Sequence, residues 1–157
     1  MTKSELARNY FLKGANCAQA VLCAFAPECG LDEEQAMRIA SGFGGGMGRM
    51  REVCGAVSGM ILVADHLCGY TSFTDKEAKD AHYALIQQLA GSFRQENGSI
   101  ICRELLGLES RGADTPVSEA RSETYYQKRP CAELVALAAS ILEKHFHQAQ
   151  FPIRGDK

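Results

Sequence analysis

Apolar residues recur at helical spacing along most of this chain, and no sustained alternation of β-branched and polar residues competes with them. That pattern predicts an all-α protein, a compact bundle of about six to seven helices. Stop and start residues divide the run. A first helix from Ser4 to Lys13 ends at Gly14, and a second starts after Asn16 and ends at Pro27. Asp32 caps a third through Ala40, the glycine-rich stretch Gly42 to Gly48 follows, and a fourth helix covers Val53 to Leu67. Asp75 opens a long fifth helix with the stripe Ala78, His82, Leu85, Leu89 and Phe93, closed by Asn97-Gly98. Ser99 is placed to cap a short sixth helix bearing Cys102. Glu109 to Arg129 reads as a polar loop with one short helix from Pro116. Pro130 then sits at a first helical position, ahead of the stripe Cys131, Leu134, Val135, Ala138, Ile141, Leu142 and Phe146. The tail after His147 is expected to fray.

With 157 residues, the expectation is one helical domain over 1–157, large enough to bury a core without staples. Seventeen basic against nineteen acidic side chains leave a net charge of −2, so nucleic acid is not the expected partner. The uncharged stretch Val53 to Ala64 has 12 residues, short of the roughly 18–20 needed to span a bilayer. The polar start MTKSELARNY lacks the apolar segment of an export signal, and the expected location is cytoplasmic.

Seven cysteines stand out. An odd count in a chain without an export signal argues against a disulfide framework, and leaves thiols that are either plain core residues or working groups. Cys17, Cys54, Cys102 and Cys131 all fall near expected helix starts, where free N–H groups and a partial positive charge favour a thiolate. Cys23 lies six residues past Cys17, about 240° round the helix. Cys29 follows Pro27 in a loop. Cys68 shares a face with Cys54 but sits about 21 Å further along the helix, too far to share one ion. No CxxC occurs, so zinc-ribbon and thioredoxin signatures are absent.

Other motifs say less. Met47 takes the third glycine position of a GxGxxG, and no strand precedes the loop, which argues against nucleotide binding. The glycines read instead as chain passing tightly beside something, with Gly55 and Gly59 allowing helices to approach closely. Arg49 and Arg51 either depress the pKa of nearby Cys54 or face solvent. His66 and His82 read as satisfied core or rim residues, and His145 and His147 suit the C-terminal end of a helix dipole.

The text GFGGGMGR followed by Cys54-Gly55-Ala56-Val57-Ser58-Gly59 resembles the redox-active protein family with the CGAxxG motif and four hallmark cysteines, the C_GCAxxG_C_C family. Asn16-Cys17-Ala18-Gln19-Ala20-Val21, Cys102-Arg103-Glu104-Leu105-Leu106-Gly107 and the helix start at Cys131 extend the resemblance over about residues 10–145. It implies that Cys17, Cys54, Cys102 and Cys131 are the hallmark cysteines and that Cys23, Cys29 and Cys68 fall outside the pattern. It also implies small bacterial proteins, often encoded near transporters. A related domain in multi-domain cytochromes implies an iron–sulfur centre, although this chain has no CxxCH haem site.

Two functions are therefore expected to compete. In the first, Cys17, Cys54, Cys102 and Cys131 bind a metal or a [2Fe–2S] cluster for electron transfer or redox sensing. Asn16, Gly44, Gly45, Gly46, Gly48, Arg49, Gly55 and Gly59 support the site, the glycines bringing N–H groups towards the sulfurs. Zinc in the same four positions is the redox-silent form. In the second, the thiols exchange with a disulfide and no metal is involved. A helical interaction module with structural cysteines is the blander alternative. The redox partner is unnamed by the sequence, and a homo-oligomer is compatible with each reading.

Overall fold

The computed structural model describes residues 1–108 and 113–146. Its helices are α1 (Lys3–Leu12), α2 (Cys17–Ala24), α3 (Glu33–Ile39), α4 (Gly55–Cys68), α5 (Lys76–Asn97), α6 (Cys102–Leu105), α7 (Glu123–Lys128) and α8 (Cys131–His145). No strand is present among the described residues; a single antiparallel bridge joins Val53 to Ile101. The all-α expectation is met, and no helix among the described residues is long and apolar enough to cross a membrane.

Side-chain chemistry sets the helix starts. Thr2, Asn16 and Asp32 each accept the N–H three residues on, while Glu5, Gln19 and Gln35 return the bond, making three capping boxes. Asp75 caps α5 through the N–H of Ala78, and Gly98 ends it at φ 80°. α2 lies at the centre, with Ala20, Val21 and Leu22 wholly buried, and packs on α1, α4 and α8. Gly59 lets α4 come this close: a Cβ there would stand 2.8 Å from Val21 Cβ. Phe11, Phe25, Met60, Phe93, Val135 and Leu142 fill the rest of the core.

Several boundaries move. α4 starts at Gly55, two residues later than expected, because Val53 is held in the bridge to Ile101. α6 starts at Cys102 with Ile101 as its N-cap; Ser99 instead accepts the N–H of Ile101 at 2.9 Å and bonds Glu104. Pro130 is the N-cap of α8 rather than its first residue. No helix begins at Pro116; the short one is α7, capped by Ser122. Residues 109–112 of the expected loop, His147 and the expected frayed tail lie outside the described residues.

Candidate functional site

Each of Cys17, Cys54, Cys102 and Cys131 stands at a helix start. Cys17, Cys102 and Cys131 are first residues of α2, α6 and α8, and Cys54 is the N-cap of α4. All four line one cavity of about 380 Å³. Cys54, Cys102 and Cys131 are buried and Cys17 partly so, and none is in a disulfide.

The bridge accounts for two of them. Cys54 N–H donates to the Ile100 carbonyl at 2.8 Å and Cys102 N–H to the Glu52 carbonyl at 2.6 Å. Flanking a single antiparallel pair, Cys54 and Cys102 fall diagonally on one side of it. The glycines make room for sulfur. A Cβ on Gly46 would stand 2.6 Å from Cys102 Cβ, and one on Gly55 would stand 3.0 Å from Cys17 Cβ. Gly44 lies against the Asn16 side chain, whose amide donates to the Ser41 carbonyl and so fixes the loop beside the start of α2. Gly45 and Gly48 also line the cavity, Gly45 against the Arg49 side chain, and Gly59 belongs to the α2–α4 contact.

The glycine stretch is wound left-handed. Gly45, Gly46, Met47, Gly48, Arg49 and Arg51 all have φ between 59° and 70°. Glycine takes this region freely, whereas each of the three side-chain-bearing residues costs about 1–2 kcal/mol. Arg49 and Arg51 thereby line the cavity rather than face solvent. The thiol that Arg51 meets is Cys102, with Nη1 3.7 Å from Sγ, and not the adjacent-in-sequence Cys54.

Two further arginines, Arg121 and Arg129, line the same cavity, with Tyr125 between them in sequence. Arg121 donates to the carbonyls of Phe11 and Ala15, both at 3.0 Å, and stacks 4.3 Å above the Phe11 ring. Asp114 takes Arg51 Nε at 2.8 Å, and Glu119 pairs with Arg129. Sequence reasoning missed these residues. The available signal was the pair of arginines flanking Tyr125-Tyr126 in a loop read only as polar.

The four sulfurs hold their protons differently. The Cys17 thiol donates to Cys131, which pushes its own pKa well up, with burial adding to the shift. Cys131, the acceptor, is lowered by that bond first; burial opposes it, and Arg129, Arg121 and Arg51 assist. Burial pushes Cys54 up to about 12, against the pull of the Ala56 and Val57 amides. Cys102 is raised by burial, with Arg51 opposing.

The other cysteines stand apart. Cys23 and Cys29 are core residues, and Cys68 is exposed at the end of α4, its thiol donating to the Ala64 carbonyl. His82 is buried and pairs with Asp65 through Nε2 at 2.6 Å, but its Nδ1 has no hydrogen-bond partner among the described residues, so it is a core histidine only half satisfied. His66, at the rim, meets the Leu62 carbonyl at 2.7 Å. Among the described residues, no group of three or more His, Cys, Asp or Glu side chains is arranged to hold one metal ion.

No curated protein and no solved structure matches the chain. A protein-family profile described as "Putative redox-active protein (C_GCAxxG_C_C)" matches residues 15–145, a span that includes every residue lining the cavity except Phe11. The chain belongs to the C_GCAxxG_C_C family.

Proposed function

We propose that Cys17, Cys54, Cys102 and Cys131 form a single redox centre for electron transfer or redox sensing, built as a [2Fe–2S] cluster. The observation that carries this reading is the meeting of four helix-start cysteines, far apart in sequence, around one cavity. A binuclear cluster takes its thiolates in two pairs, one on each iron, so it needs no three thiols about one point. The donor set fits. Three of the thiols, Cys17, Cys54 and Cys102, have raised pKa values, which makes them poor nucleophiles, and a metal binds them by displacing their protons. Gly46 and Gly55 hold the space beside Cys102 and Cys17 that side chains would fill. Four arginines line the cavity, and against them stand Glu119 in the lining and Asp114 bonded to Arg51, an excess of two positive charges that suits a dianionic four-thiolate centre. Such a cluster would supply one-electron transfer.

A specific observation favours a second reading. Cys17 and Cys131 are hydrogen-bonded thiols with opposite pKa shifts, one raised and the other lowered with the help of Arg129, Arg121 and Arg51, a pairing that suits a dithiol couple. Oxygen-free purification separates the two. Coloured protein with two irons and two sulfides per chain, bleaching on reduction, supports the cluster. Colourless protein that forms a Cys17–Cys131 disulfide on mild oxidation supports the dithiol. Colourless protein with one tightly held zinc rejects both.

A further inference from the structure

Arg51 is an unusual side chain for its position. It is only 6 % exposed, its backbone sits in the left-handed region at φ 59°, and its guanidinium joins two unlike partners. Nη1 faces Cys102 Sγ at 3.7 Å, while Nε donates to Asp114 Oδ2 at 2.8 Å. Holding a buried cation on a strained backbone costs stability twice over. Arg49 approaches Asp114 at 3.5 Å, and the Asp114 N–H donates to the Arg49 carbonyl at 2.9 Å, so Asp114 is fixed from both sides.

We propose that Arg51 and Asp114 form a charge pair that sets the reduction potential of the four-cysteine centre, Arg51 raising it and Asp114 holding that effect in check. The inference rests on the reading of Cys102 as part of the centre. Reduction adds one negative charge to it as the electron enters the cluster. A cation beside Cys102 stabilises the reduced form, and a carboxylate on the far side of that cation offsets the field. Arg51 is thus a positioning and tuning residue, touching one sulfur of the centre rather than any substrate.

The two residues share one ion pair but carry opposite charges, and that makes the proposal testable. The midpoint potential is measured by redox titration for the parent protein, Arg51→Gln, Arg51→Lys and Asp114→Asn. Arg51→Gln should lower the potential, shifting the reduction equilibrium at least tenfold, which is about 59 mV for a one-electron couple. Asp114→Asn should raise it, and Arg51→Lys should retain most of the parent value. If Arg51→Gln and Asp114→Asn move the potential the same way, the pair is merely structural and the proposal is overturned. The same follows if neither moves it. Should Arg51→Gln fail to fold, the upward shift in Asp114→Asn still decides. A parent protein with no redox couple overturns the four-cysteine reading itself, a failure distinct from an unmoved potential.

Discussion

Cys131 and Cys17 occupy the same place, first in a helix, yet one is a better acid than a free thiol and the other a worse one. Their mutual hydrogen bond decides the difference, because only one sulfur in such a pair can accept. In reduced, metal-free protein Cys131 should therefore be alkylated ahead of Cys17, Cys54 and Cys102 near pH 7. Cys17→Ala should shift the labelling profile of Cys131 to higher pH, since the stabilising donor is gone; mass spectrometry of timed samples reads both. Cys68→Ser should be nearly silent, within about 0.5 kcal/mol in chemical denaturation, because the residue is exposed. Much at this scale was legible in the sequence. The Asn16, Asp32 and Asp75 caps rest on contacts within three residues, so local text suffices for them. Ser99 misled because its hydroxyl caps the turn before α6, and the bridge at Ile101 sets where that helix begins.

At the scale of elements, the glycine stretch shows where local text runs out. Its glycines signalled close passage, and Gly44 and Gly46 do pass tightly beside Asn16 and Cys102. Its handedness was hidden, since no local preference places Met47, Arg49 or Arg51 at positive φ. Distant partners hold it: Arg103 N–H donates to the Arg51 carbonyl, and Asp114 N–H to that of Arg49. Met47→Gly should therefore stabilise the protein by about 1 kcal/mol, because glycine takes φ 70° without steric cost, seen as a raised Tm. Gly46→Ala should do the opposite. It adds left-handed strain and a Cβ 2.6 Å from Cys102 Cβ, so the centre should be lost at temperatures where α-helical circular dichroism persists.

Over the whole molecule, burial of thiols links stability to pH. Cys54 titrates near 12 in the folded protein, against about 8.5 for a free thiol. The raised value means the folded state holds this proton more tightly than the unfolded one. Its contribution is complete below about pH 8.5 and is lost as pH climbs towards 12. Metal-free protein should thus lose stability progressively above about pH 9 in denaturant titrations, and Cys54→Ala should flatten that decline. A slope unchanged by the substitution would place the alkaline weakness elsewhere. The gathering of the four cysteines is also a whole-molecule property. Four helix starts separated by up to 114 residues meet only because α2 packs on both α4 and α8 and the Val53–Ile101 bridge brings α6 alongside. Their placement at expected helix starts could nominate the cysteines, but could not supply Arg121 and Arg129, which line the same cavity.

The most direct test of that gathering is iron content per chain across the seven single Cys→Ser variants, each purified without oxygen. Cys17→Ser, Cys54→Ser, Cys102→Ser and Cys131→Ser should each lose the iron and its visible absorption, while Cys23→Ser, Cys29→Ser and Cys68→Ser keep two irons per chain. Full iron in any of the first four, or its loss in folded Cys68→Ser, would contradict a single centre shared by those four cysteines.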